Sequence, residues 1–212
     1  MPSSLRTAFR DSALFHWYKN IAAPVEYAWW RVRGSPGPKM PHLLKQRAIQ
    51  QYAREFNLPV LVETGTNYAH MIHVQKNHFR EIYSIELDAH KAESARRKFS
   101  GRTNIHILEG DSGVVLPRLL SALTGPCLFW LDGHDFEIST PIKQELDAIF
   151  KDSARGHVLL IDDANWFDGR GDYPTLDELR RRIAREYPGR EMEVKDNIIR
   201  IHPPRRQPSS SE

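Results

Sequence analysis

The sequence predicts an α/β fold built on a mostly parallel sheet, and two observations carry that expectation. From residue 58 onward, short apolar runs alternate with stretches of helical periodicity, the pattern of repeated βαβ units. Several of those runs, such as Cys127 to Leu131 and Val158 to Ile161, are apolar throughout rather than alternating. That is the composition of strands covered by helices on both faces.

The elements follow in order. Pro41 to Phe56 reads as a helix, preceded by a Pro- and Gly-rich linker over residues 34–38. Val60 to Gly65 is a strand and its turn, with a helix from there to about Phe79. Ile82 to Glu86 is the second strand, and Ala89 to Phe99 a charged amphipathic helix. Ile105 to Leu108 is the third strand, closed by Glu109, Gly110 and Asp111, with a helix from about Val114 to Leu123. Cys127 to Leu131 is the fourth. Thr140 and Pro141, a polar cap followed by proline in the first turn, open its helix. His157 to Ile161 is the fifth strand. A loop rich in Asp, Gly and aromatic residues then leads to a helix where Thr175 and Glu178 have capping-box spacing. Glu191 to Lys195 and Ile198 to Ile201 form two strands turning at Asp196 and Asn197, so the sheet closes in an antiparallel hairpin of seven strands in all. Crossovers between parallel strands should be right-handed. The organisation is an arm and linker over 1–40, a domain over 41–202, and a disordered Pro/Ser-rich tail over 203–212.

A chain of 212 residues with 40% apolar content suits one domain with an appendage. No uncharged apolar run approaches the roughly 20 residues of a spanning helix. The longest candidate, Ala13 to Trp30, contains His16, Lys19, Asn20, Pro24 and Glu26, and it lacks the pattern of a secretory signal. A soluble cytoplasmic protein is expected. The single cysteine, Cys127, excludes an intramolecular disulfide and a cysteine-rich zinc site, and its apolar surroundings suit a packed core thiol. The net charge of +3 is asymmetric: residues 1–56 hold nine Lys/Arg against three Asp/Glu, whereas residues 57–202 hold nineteen against twenty-three. The basic arm is either a solvated face or a guide for an anionic partner. Its aromatic groups, Phe15 to Tyr18 and Tyr27 to Trp30 followed by Arg31 and Arg33, suit packing on the domain, a lid, a dimer contact or peripheral contact with a membrane surface.

Two sets of strand-end residues point to a site, because open α/β sheets bind ligands beyond the C-terminal ends of their strands. Glu63, Thr64, Gly65 and Thr66 close the first strand, and Glu86 closes the second, 21 residues past Gly65. In a nucleotide-binding βαβ unit the glycine admits the ligand to the backbone and the acid accepts hydrogen bonds from ribose hydroxyls. Gly-x-Gly-x-x-Gly is missing, since Thr66, Asn67, Tyr68 and Ala69 follow Gly65. A dinucleotide pyrophosphate benefits from those glycines, so the balance tips from NAD toward S-adenosylmethionine, which has no phosphates. The second set is Asp132 at the end of the fourth strand, with Asp162 and Asp163 at the end of the fifth. Their oxygens are hard ligands suited to Mg²⁺ or Ca²⁺.

Glu63 to Thr66, Tyr83 to Glu86, Glu109 to Ser112, Trp130 to His134 and Leu160 to Asp163, in this order, resemble a class I S-adenosylmethionine-dependent methyltransferase over residues 57–202. The resemblance implies a Rossmann-like sheet with Glu63, Gly65 and Thr66 toward the methionine portion, Glu86 on the ribose, and Asp111 with Ser112 near the adenine. Ala69 departs from the family, whose members often keep a glycine there. The acids are similar to those of cation-dependent O-methyltransferases, which implies that Asp132, Asp162 and Asp163 hold Mg²⁺ and that the acceptor is a small-molecule or sugar hydroxyl. Such a cation lowers the hydroxyl pKa and orients its oxygen. His134, two residues past Asp132, could take the hydroxyl proton or shape the acceptor pocket.

Competing readings are an inactive methyltransferase-like binding module and an NAD(P)-dependent oxidoreductase. The Asn-Pro-Pro-aromatic motif of amino-methylating enzymes is missing, so a nucleic-acid partner is not favoured, although the basic arm keeps RNA open. His70 and His73 share a helical face without an accompanying acid and read as surface residues. Trp166 and Phe167 either cover an acceptor or pack their loop.

Overall fold

The computed structural model describes residues 13–33, 40–133 and 140–205. Two helices, α1 (Ala13–Val32) and α2 (His42–Glu55), precede the alternating run. That run comprises β1 (Val60–Thr64), α3 (His70–Gln75), β2 (Glu81–Glu86), α4 (Ala89–Lys98), β3 (Ile105–Glu109), α5 (Ser112–Ala122), β4 (Leu128–Leu131), α6 (Ile142–Lys151), β5 (Val158–Ile161), α7 (Leu176–Glu186), β6 (Glu191–Lys195) and β7 (Ile198–His202). The strands form one sheet in the order β3-β2-β1-β4-β5-β7-β6. Strands β1 to β5 are parallel, while β7 runs antiparallel to both β5 and β6. The expected seven-stranded architecture is thus present. The hairpin turns at Asp196 and Asn197, at φ 53° and 52°, the doubly left-handed geometry that favours Asn and Asp.

Strands β1, β4 and β5 are buried along their whole length because helices cover both faces. Alternate residues feed two cores. Val62, Phe129, Leu131, Leu159 and Ile161 meet Leu116 and Leu119 of α5, Leu146 and Ile149 of α6, and Leu179 and Ile183 of α7. On the other face Leu61, Leu128, Trp130, Val158 and Leu160 meet Ile49 and Tyr52 of α2, Ile72 of α3, and Ala92 and Ala95 of α4. Each such aliphatic or aromatic side chain contributes about 1.5–3 kcal/mol. Cys127 is buried beside them and free, and burial pushes its thiol up to about 12, which keeps it protonated and inert.

Helix α2 belongs to the domain and is pinned along its length. Tyr52 donates to Glu193; Arg205 pairs with Glu55 at 2.7 Å and with Glu193 at 2.9 Å. Arg205, three residues past β7, is thus tied to α2 and β6. Helix α1 lies against α2, with Ala23 buried and the Arg47 guanidinium 5.3 Å from the Tyr27 ring centroid. Among the described residues no helix is long and apolar enough to cross a membrane.

Local differences from the sequence expectation have steric reasons. Helix α3 has six residues rather than running from Gly65 to Phe79: Asn67 and Ala69, both at positive φ, delay its start, and past Gln75 the chain enters a turn in which the His78 amide donates to the Gln75 carbonyl at 2.8 Å. His70 is not a surface residue: α2 covers α3, so its ring lies buried, edge-on to His42 at 4.7 Å. His73 is half-buried. Phe167 packs in the core with Tyr173 at 5.4 Å, which makes it part of the loop's own packing. The Thr175 and Glu178 capping box is present: Thr175 Oγ1 accepts from the Glu178 amide at 3.1 Å and Glu178 Oε2 accepts from the Thr175 amide at 2.8 Å. Thr175→Ala should therefore cost about 1 kcal/mol, read as a lower urea midpoint at unchanged slope; an unchanged midpoint would show that the cap contributes nothing.

Candidate active site

The backbone ladder continues one step beyond the strands at their C-terminal edge. Gly65 donates to the Ile85 carbonyl at 2.9 Å, Gly110 to Glu86 at 2.8 Å, Asp132 to Thr64 at 3.2 Å and Asp162 to Leu131 at 3.0 Å. The motifs, separate in sequence, therefore stand in one row across the point where strand order reverses between β1 and β4. A cleft of about 730 Å³ runs along that row, lined by Gly65, Glu86, Asp111, Ser112, Asp132 and Asp163, among others. Its size is that of a small-molecule site, typically about 300–1,000 Å³.

Gly65 sets the floor of the cleft. Its φ is +83°, and a Cβ there would lie 2.5 Å from the Asp132 carbonyl oxygen and 2.9 Å from Gly133 Cα. Backbone offers no room to give, so only glycine fits. Ala69, where the resemblance would place glycine, is buried at φ 56°, a left-handed conformation costing an L-residue about 1–2 kcal/mol.

Glu86 reaches the cleft wall with both oxygens already oriented: Oε2 accepts from the Asn67 amide at 2.7 Å and Oε1 from the Asp88 amide at 3.0 Å. Each carboxylate oxygen retains a lone pair for a ligand hydroxyl. Asp111 caps α5 by accepting from the Gly113 amide at 2.8 Å, and Ser112 donates to buried Glu145 at 2.6 Å. Burial pushes Glu145 up to about 7, against the pull of the Ser112 hydrogen bond.

Glu63 does not line the cleft. It lies beneath it, only 2% exposed, accepting from Ser84 Oγ at 2.6 Å, while Ser84 also meets Thr66 Oγ1 at 2.6 Å. Thr66 is buried with it. These two residues lie under the floor, because β1 residues alternate faces and the tight turn leaves Gly65 as the exposed backbone. Burial raises the Glu63 carboxyl to about 8, with the Glu86 charge adding to the effect.

The three aspartates do converge, and the residue that joins them was not anticipated. Asp162 is fully buried, and its Oδ2 pairs with the Lys45 ammonium from α2. Asp163 turns into the left-handed region at φ 52°, which brings two sequence-adjacent acids to one place where a regular strand would separate them. Asn197 Nδ2 donates to Asp163 Oδ1 at 3.2 Å. Burial and the Asp162 charge raise the Asp132 carboxyl well above the ordinary range, with Lys45 pulling the other way; Asp163 is raised by the same causes. Burial acts against the Lys45 ammonium, but Asp162, Asp132 and Asp163 outweigh it and leave its pKa above the ordinary value. Among the described residues no group of three His, Cys, Asp or Glu side chains is placed to hold a metal ion. The expected Mg²⁺ ligand set does not fit as it stands, because Lys45 already occupies Asp162. His134 lies outside the described residues.

One signal for Lys45 was present in the sequence. It stands three, four and seven residues before Ala48, Ile49 and Tyr52, in line with the buried stripe of α2, where a lysine needs a partner. Nothing local named that partner, 117 residues away.

Two outcomes test this geometry. Gly65→Ala should lose about 1–3 kcal/mol in chemical denaturation, because strain and a backbone clash coincide; wild-type stability would refute the close approach. Glu63 is raised in the folded state, so the unfolded chain ionises first as pH rises, and stability should fall between about 4.5 and 8. Glu63→Gln should flatten that fall in melting temperature, and a parallel curve for both proteins would show that Glu63 titrates normally.

No family model matches the chain, and no curated protein does. Solved structures are similar over most of it. The methyltransferase PaMTH1 of Podospora anserina, bound to SAH, is similar at TM-score 0.53 and 17% identity, over 95% of this chain and 97% of that one. The O-methyltransferase TomG of Streptomyces achromogenes, in complex with SAM, is similar at TM-score 0.54 and 15% identity, over 86% and 87%. The 23S rRNA methyltransferase ErmE is similar at TM-score 0.51 and 20% identity, over 74% and 68%. With the sheet order, the terminal hairpin and the cleft at the strand reversal, these likenesses establish that the chain has the Rossmann-like fold of class I S-adenosylmethionine-dependent methyltransferases.

Proposed function

We propose that this chain transfers a methyl group from S-adenosylmethionine to a hydroxyl of a small molecule or sugar. The observation that carries the reading is the continuity of one cleft, from Gly65 and Glu86 on one side of the strand reversal to Asp132 and Asp163 on the other. That continuity supports a reading in which the Gly65 backbone, Glu86 as ribose acceptor and Asp132 as proton acceptor serve a single ligand-sized groove.

When bound, S-adenosylmethionine supplies an electrophilic methyl group on a sulfonium. Gly65 would admit its methionine portion to the backbone, where any Cβ is excluded. Glu86, held by two backbone amides, would accept the ribose hydroxyls, and Asp111 with Ser112 would border the adenine. At the acceptor end, the hydroxyl oxygen would bond to the methyl carbon as the carbon–sulfur bond breaks, leaving S-adenosylhomocysteine. The hydroxyl proton would pass to the Asp132 carboxylate or to His134. The raised Asp132 carboxyl is a stronger base than an ordinary one. In this reading Lys45, paired with Asp162, is the cation at that end of the cleft. A cytoplasmic location belongs to the same proposal, and the lone buried thiol agrees with a reducing compartment.

Two alternatives are separated by the same experiment. Calorimetry should show binding of S-adenosylhomocysteine and none of NAD(P). Glu86→Ala should weaken the former about ten- to a hundredfold, the loss of charge-assisted hydrogen bonds worth about 1.5–3 kcal/mol. Absence of binding at millimolar S-adenosylhomocysteine would sink the proposal. Binding without methyl transfer to any hydroxyl in a labelled-donor screen would favour the inactive module.

A further inference from the structure

We propose that Lys45 is the resident cation of the acidic cluster, its ammonium filling the position at the ends of β4 and β5 where the three aspartates would otherwise gather a divalent ion. The occupancy rests on geometry alone; its meaning for catalysis rests on the methyl-transfer reading.

Four observations converge. Asp162 is fully buried and one of its oxygens is bonded to Lys45, whose side chain is only 18% exposed. Its other oxygen, Oδ1, is buried with no hydrogen-bond partner among the described residues, so the ammonium is the charge that compensates this carboxylate there. Asp132 and Asp163 act on the Lys45 ammonium as well, each favouring its charged form. Finally, α2 is clamped to the sheet by Tyr52, Glu55, Glu193 and Arg205, so the cation arrives with the fold rather than from solvent.

The chemistry of the two cations makes them exclusive. Mg²⁺ needs several oxygens at about 2.0–2.1 Å in octahedral order. An ammonium is a compact charge with three donors and no such demand, and it repels a second cation at the same carboxylate. A buried carboxylate that loses its partner is strongly destabilising, so another cation or a proton must take the place of Lys45 if it leaves. In a methyl transferase, an ammonium at this place would hold an acceptor oxygen and stabilise its developing charge without a dissociable metal.

The test is Mn²⁺ uptake by the full chain, followed by the paramagnetic resonance of free Mn²⁺, with melting curves in Mn²⁺ and in chelator. Wild type should take up no Mn²⁺ and melt identically in both. Lys45→Met should take up about one equivalent and melt higher with Mn²⁺ than with chelator; folding only when Mn²⁺ is present would support the proposal equally. Lys45→Arg, which keeps the charge, should behave as wild type. Stoichiometric uptake by wild type would overturn the proposal. So would a Lys45→Met protein that folds without taking up the ion, or one that stays unfolded with Mn²⁺ as well as without it. S-adenosylhomocysteine binding measured on the same samples separates this from the methyl-transfer reading. Wild type that binds neither supports the resident cation and sinks the methyl donor, whereas uptake of Mn²⁺ together with S-adenosylhomocysteine does the reverse.

Discussion

The contact on which the site depends is the one between the turn after β1 and the end of β4. Gly65 sits against the Asp132 carbonyl with no room for a single carbon, and Gly133 lies close to Thr64 in return. This approach occurs where strand order reverses, so the helices following β1 and β4 leave on opposite faces and open a groove above the joint. Glu86 and Asp111 fall on one side of the joint and Asp132, Asp162 and Asp163 on the other. A bulkier residue at position 65 would part β1 from β4 and separate the two halves of the groove.

Beneath the groove, the carboxyl groups are managed by burial rather than by solvent. Glu63 and Glu145 lie in the interior, each accepting a hydrogen bond from a serine and each raised toward neutrality. Neutral acids can be buried with one or two hydrogen bonds, whereas ionised ones require a compensating charge. At the β4 and β5 end of the cleft the partner is a charge. There the lysine of a helix early in the chain pairs with buried Asp162. The floor of the cleft is therefore low in charge, and a lysine–aspartate pair stands at its β4 and β5 end.

Much of the architecture was legible because its signals are local. Continuous apolar runs mark β4 and β5, Thr175 and Glu178 mark a helix start, and Asp196 with Asn197 marks a hairpin turn. The strand-end acids were legible for the same reason, since an acid closing an apolar run must sit at a sheet edge. That Glu63 lies beneath the cleft was not legible, because an acid in a glycine turn looks the same whether it lines a cleft or lies under it. His70 was read as surface because the covering helix, α2, lies upstream of the strand it packs over.

The sequence by itself determined the order of strands and helices, the parallel character of the sheet and the row of polar groups at its edge, because periodicity and strand ends are written in adjacent residues. Only the tertiary structure decided which carboxyls face the cleft, which lie under it, and which cation the aspartates meet. Those outcomes depend on distances between segments far apart in the chain. Lys45 and Asp162 are separated by 117 residues, and no local pattern encodes their meeting. What brings them together is the burial of the α2 stripe against the sheet, which carries its one lysine to the buried Asp162 carboxylate.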